Sequence, residues 1–135
     1  MTAFHPHSLP FEDWPQIHQE RWLKAQEYSG PFRPAGRAAH WRPHSLSKTR
    51  KGYGVWLSWN IQKGHPIAET SPEELITEAS ADAYLTDIEA TNNGWTPYNR
   101  AQELYDAIRV MTPNLKEAEW NWLRIGFENL RLTAT

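Results

Sequence analysis

Apolar residues recur at helical spacing in five stretches of this chain, and no stretch of useful length alternates at the two-residue period of a strand. The first predicted helix is capped by Asp13 and has Pro15 in its first turn. Trp14, Ile17, Trp22, Ala25 and Tyr28 share one side of it, and Gly30-Pro31 ends it. The second opens at Ser45 or Ser47 and runs to about Gln62, with Gly64 suited to its C-terminal end. Its main stripe is Tyr53, Trp56, Leu57 and Ile61, while Val55 and Trp59 lie on other faces. A helix apolar on several sides is buried on several sides, so this one is expected at the centre, covered on one side by the first helix.

Thr77 caps the third helix, Glu78 to about Thr91, with the stripe Ala81, Tyr84, Leu85 and Ile88. Asn92-Asn93-Gly94 ends it. For the fourth, Thr96 is a good N-cap and Pro97 fits the first helical position. Ala101, Leu104, Tyr105, Ile108 and Met111 make its stripe, and Thr112-Pro113 stops it. Asn114 with Glu117 forms a capping-box pattern for the fifth, whose stripe is Trp120, Leu123 and Phe127. It ends near Leu130, and residues 131–135 fray. Residues 65–76 are turn-rich, with a short helical turn at Pro72 to Leu75. Residues 1–10 carry no pattern and are expected to be disordered.

Composition sharpens this picture at both ends of the chain. Of ten prolines, six lie in the first 43 of 135 residues, which marks residues 31–44, PFRPAGRAAHWRPH, as an irregular arm ordered where Phe32 and Trp41 tuck into the core. Eight Trp, five Tyr and four Phe supply burial energy on the order of 1.5–3 kcal/mol each where fully covered. Gly52 and Gly54, one turn of the second helix, each cost about 1 kcal/mol relative to Ala, which points to close approach of another backbone, protein or nucleic acid. The expectation is an all-α chain: residues 1–44 form an N-terminal helix and arm packed on a core of four helices at 45–135.

Charge separates along the chain although the net value is only −2. From Ser29 to Gly64 there is no Asp or Glu, but there are Arg33, Arg37, Arg42, Lys48, Arg50, Lys51 and Lys63. From His65 to Glu119 eleven acids face Arg100, Arg109 and Lys116. A basic stripe of this kind suits nucleic acid or a solvated face, and the arm suits a DNA backbone or a plain linker. Asn99 and Arg100 open the fourth helix. There Arg100 opposes the helix dipole, and beside free N–H groups it would strengthen phosphate binding. A solvated Arg100 paired with Glu103 or Glu89 is the plainer alternative.

The chain has no Cys, which excludes disulfides and thiolate metal sites. His5-Pro6-His7 lacks a third ligand, so no metal and no cofactor is expected. No apolar run approaches the ~18 residues of a membrane helix, and the N-terminus has no signal-peptide pattern, so a cytoplasmic protein is the default.

LPFEDWP at Leu9 to Pro15, AAHWRP at Ala38 to Pro43, RKGYGVWLSW at Arg50 to Trp59, LYDAIRVMTP at Leu104 to Pro113 and WNWLR at Trp120 to Arg124 occur in order. Together they resemble the N-terminal core-binding domain of phage-type integrases, the tyrosine recombinases. The resemblance implies a SAM-like orthogonal bundle of four helices that holds one face of double-stranded DNA. It makes Arg42 on the arm, Lys48, Arg50 and Lys51 on the first core helix, and Thr96, Asn99 and Arg100 at the start of the third, DNA-contact candidates, with Arg109 and Arg124 as weaker ones. The family's chemistry needs a tyrosine nucleophile within an Arg/His/Arg-type set, which lies in a C-terminal domain. None of Tyr28, Tyr53, Tyr84, Tyr98 and Tyr105 sits in such a pattern, so no catalysis by this chain alone is expected. It reads as a truncated recombinase, an excised domain or a free-standing relative. The alternative is a protein-interaction domain that associates with itself or with a recombinase protomer through exposed aromatics such as Trp59 and Trp95.

Overall fold

In the computed structural model, residues 4, 6–92 and 94–133 are described; the expectations for His5, Asn93, Ala134 and Thr135 lie outside them. The described residues form six α-helices and two 3-10 turns, with no strand. The helices are α1 (Gln16–Lys24), α2 (Pro43–Gln62), α3 (Pro72–Leu75), α4 (Glu78–Thr91), α5 (Trp95–Met111) and α6 (Glu117–Thr133). The 3-10 turns are Phe11–Asp13 and Ile67–Glu69. None of the described helices is long and apolar enough to cross a membrane.

α2 is the buried centre. Every residue from Gly52 to Asn60 is buried, so all sides of its C-terminal half are covered. Trp56 stacks on Trp59 at 5.5 Å, and both meet Tyr84 of α4 edge-on. Trp59 is therefore a core residue, not an exposed aromatic, and its indole N–H donates to Asp87 at 2.8 Å. Ile61 is exposed, contrary to the expected stripe; the buried polar Asn60 takes the inward position and donates to the Trp56 carbonyl. The helix starts at Pro43 instead of Ser45 or Ser47, because proline's fixed φ suits the first helical position.

The two glycines of α2 mark two close approaches. A Cβ at Gly52 would overlap the Glu103 side chain of α5, and a Cβ at Gly54 would overlap Ser8 and the Leu9 backbone. The neighbours are protein in both cases. The second contact orders a segment expected to be disordered. Leu9 N–H donates to the Gly54 carbonyl at 3.1 Å, Ser8 Oγ donates to the Lys51 carbonyl at 2.8 Å, and Phe4 is buried.

Caps decide the other boundaries. Thr77 and Ser80 form a capping box at α4, which has the expected bounds, and Ser71 and Glu74 form one at the expected α3 turn. α5 starts at Trp95, with Gly94 at φ +66° as its N-cap and no side-chain cap; Thr96 lies inside the first turn. Asn114 does not cap α6. The Glu119 carboxylate accepts from the Lys116 N–H at 2.8 Å, which moves the start two residues on, and the helix continues to Thr133. The first helix is shorter than its pattern. Asp13 closes a 3-10 turn, α1 runs only over Gln16–Lys24, and Tyr28 is exposed.

His18 on α1 is fully buried although nothing in the stripe marked it. Its Nε2 faces the carbonyls of Ile67 (3.1 Å) and Thr70 (2.9 Å), so the ring donates there and Nδ1 accepts from the Tyr53 hydroxyl at 2.8 Å. This ring ties the 3-10 turn to α1 and α2. In the arm, Trp41 packs on the core but Phe32 is 98% exposed, so only one of the two expected anchors is seated. One continuous apolar cluster joins Phe4, Trp14 and Trp22 to Tyr53, Tyr84, Ile108 and Leu123.

Candidate nucleic-acid interface

α2 and α5 pack along each other, and the glycine at position 52 sets how near they come. On α2, Lys48, Lys51, Gly52 and Val55 recur at helical spacing on the side that faces α5. On α5, Arg100 and Glu103 are one turn apart and face α2. Between them runs a groove of about 340 Å³ bordered by Pro6, His7 and Ser8 of the N-terminal segment. Lys48 also lines an adjoining hollow of about 400 Å³ with Trp41, His44, Asp106 and Arg109. Lys48 thus joins the two into one trough along the helix pair.

The structure brings together Lys48, Lys51 and Arg100. Lys48 and Lys51 are exposed, so their ammonium groups reach solvent at the trough's mouth. Arg100 is half-buried and paired within its own helix: Nε lies 2.8 Å from Glu103 Oε1, and Nη2 donates to Oε2 at 3.0 Å. This is the Glu103 pairing of the plainer alternative, and Arg100 still lines the groove. Glu103 is only 4% exposed, and burial pushes its carboxyl above the ordinary value while Arg100 and Lys48 pull it down. Asp106 shows the same balance, raised by burial and lowered by Arg109. The Arg109 guanidinium lies 3.4 Å from Asp106 and over the rings of Trp41 and Tyr105, so it is held as a structural clamp.

The other candidates fall elsewhere. Arg50, two residues from Lys48 and so on the far side of α2, borders a separate hollow with Phe11 and Trp22. Arg42 is the exposed N-cap of α2. Thr96 is half-buried in the first turn of α5; because the helix starts at Trp95, the half-buried Asn99 and Arg100 fall just past that turn, beyond the free N–H groups beside which Arg100 was expected. Arg124 is exposed on α6 and donates to Asn121 at 2.9 Å.

The basic arm is used differently from a free DNA-binding strap. Arg37 donates to the carbonyls of Arg109 (2.7 Å), Pro113 (3.1 Å) and Leu115 (3.1 Å). It therefore closes the C-terminal end of α5, where a cation meets the negative end of the helix dipole. Arg21 adds a donation to the Met111 carbonyl at 3.0 Å while gripping Glu73 with two bonds of 2.7 and 2.8 Å. Lys63 pairs with Asp87 at 2.9 Å. Sequence reasoning named Glu103 as a partner of Arg100 but missed its burial, and it missed the roles of Arg37 and the N-terminal segment. The local signal for Glu103 was its spacing from Arg100; Arg37 had none, since its partners lie more than seventy positions away.

Among the described residues no group of three His, Asp or Glu side chains is placed to hold a metal ion. The chain matches no family model, no curated protein and no solved structure.

Proposed function

We propose that this chain is a DNA-binding module of the site-specific recombination type, a SAM-like core of α2, α4, α5 and α6 that grips duplex phosphates and catalyses nothing alone. The observation that carries this is the convergence of Lys48, Lys51 and Arg100, from two helices far apart in sequence, on one groove whose acid Glu103 is buried, while the half-buried Asp106 of the adjoining hollow is paired with Arg109. Phosphate contacts of this kind position a protein on DNA, and Arg42, Thr96 and Asn99 are placed as polar flanks. Arg50 serves a second strand face or none, since it points away from the trough. Two observations support the absence of tyrosine chemistry. Tyr53 is wholly buried against His18, and Tyr84 is wholly buried between Trp56 and Trp59, so neither hydroxyl can reach a phosphate. A cytoplasmic location fits a DNA partner.

The test is fluorescence anisotropy of a labelled random duplex at low salt, comparing the parent with Lys51→Ala and with the double variant Arg100→Gln/Glu103→Gln. Arg100 is changed with Glu103 so that no buried carboxylate loses its partner. Each variant removes one phosphate contact and should bind at least about threefold more weakly, while melting near the parent. Equal binding by both would show that the trough is not the interface.

A second reading, association with itself or with a recombinase protomer, is favoured by Trp95. It is 48% exposed at the start of α5 and set edge-on to Tyr98 at 5.4 Å.

A further inference from the structure

The outer face of α6 carries a pattern that the bundle uses only through Trp122, which is partly buried against the core. Trp120, Leu123 and Phe127 turn inward, and among the described residues α5 is the only helix that α6 meets extensively. On the opposite side Ala118, Trp122, Ile125, Asn129 and Leu132 follow at spacings of four, three, four and three. That alternation is the heptad seam of a coiled coil. Ile125 is 52% and Leu132 70% exposed, and Trp122 is half-buried. A single exposed apolar residue is ordinary, whereas a row in register along a whole helix marks a contact surface.

We propose that this seam pairs antiparallel with α6 of a second copy of the chain, about a two-fold axis at Ile125. Side-chain sizes fit that arrangement. With Ile125 facing itself, Ala118 meets Leu132 of the second copy and Trp122 meets its Asn129, so each layer outside the central isoleucine pair sets a smaller residue against a larger one.

Charge fixes the direction. One flank of the seam reads Glu117, Asn121, Arg124, Glu128, Arg131. Antiparallel pairing brings like flanks together with order reversed, so Glu117 meets Arg131, which pairs with Glu128 at 3.3 Å in the single chain, and Glu128 lies beside Arg124 of the second copy. The two Arg124 side chains near the axis are each flanked by such a carboxylate. Parallel pairing would set this flank against Glu119, Gly126 and Thr133, which offer no cation. Opposed helix dipoles favour the antiparallel choice as well. A seventeen-residue helix spans about 25 Å, and a contact of that length belongs to the small class, below about 1,200 Å² of total buried surface. The dimer is therefore weak and reversible. No seam residue lines the α2–α5 trough, so pairing through α6 and DNA binding are separable.

Sedimentation equilibrium of the full chain between about 10 and about 500 µM, the range that resolves a weak dimer, tests the pairing. A monomer–dimer equilibrium is expected, and Ile125→Asp should weaken it at least tenfold with unchanged helical circular dichroism. Monomer at every concentration, or a dimer indifferent to Ile125→Asp, overturns the proposal. Direction is read by oxidation of single-cysteine variants, since the chain has no Cys of its own. Ala118→Cys mixed with Leu132→Cys should give the mixed disulfide in excess over either homodimer. Faster crosslinking of Leu132→Cys to itself overturns the antiparallel arrangement.

Discussion

The two ends of α5 are finished in opposite ways. At the C-terminal end, Arg37 from the arm and Arg21 from α1 donate to the Arg109 and Met111 carbonyls that the helix leaves open, and Arg37 also to Pro113 just beyond it. Those are cations where the helix dipole wants them, supplied by distant segments of the same chain. At the N-terminal end, Gly94 provides no side-chain cap, Thr96 and Asn99 stay half-exposed, and Arg100 lies in the second turn, beyond the free N–H groups. Glu103 pairs with Arg100 one turn on. An end closed by the protein's own groups serves stability. The other end is left polar, with Arg100 beside two lysines, and it is where the proposed DNA contact falls.

The closed end should break with the largest effect. Arg37→Ala leaves four carbonyls without their charged donor and should cost about 2–3 kcal/mol, read as a lower urea midpoint. DNA binding by the folded fraction should be unchanged, because the Arg37 guanidinium, although exposed, is already engaged by these carbonyls. A loss of affinity at constant stability would show that the arm does touch DNA.

Arg100→Ala at the open end should cost somewhat less, about 2 kcal/mol at neutral pH, because it strands a buried carboxylate. The pH dependence gives its signature. Glu103 is raised by burial, and without Arg100 it rises further; a raised carboxyl favours the fold while protonated, and that advantage is lost as pH climbs through the folded value. The variant should therefore recover toward the parent between neutral and mildly acidic pH, and Glu103→Gln in the same chain should remove the recovery. Thermal melts across that range would refute the buried-pair account if the gap between variant and parent stayed constant.

What could be read from the sequence was local. Thr77 with Ser80, and Ser71 with Glu74, set α4 and α3 through chemistry contained within four residues. The all-round burial of α2 was likewise visible, since Val55, Trp56, Leu57 and Trp59 leave no polar face. What escaped depended on distant partners. His18 looks like a surface residue until Tyr53 and the Ile67 and Thr70 carbonyls are placed around it. Phe32 looked like an anchor, but the arm is fastened by Trp41 and Arg37 instead. The capping pattern at Asn114 failed because a competing acid, Glu119, serves Lys116. At the candidate site, Lys48, Lys51 and Arg100 were chosen singly. Only packing at Gly52 shows that they share a trough and that Arg50 does not.

The most direct test of the open end is the salt dependence of duplex binding, measured by anisotropy at about 50 and about 200 mM salt. Three phosphate contacts from Lys48, Lys51 and Arg100 predict a loss of affinity of about forty-fold between the two, and Lys48→Ala/Lys51→Ala should reduce that loss to about threefold. No binding at either salt, or binding that ignores salt, would contradict the account.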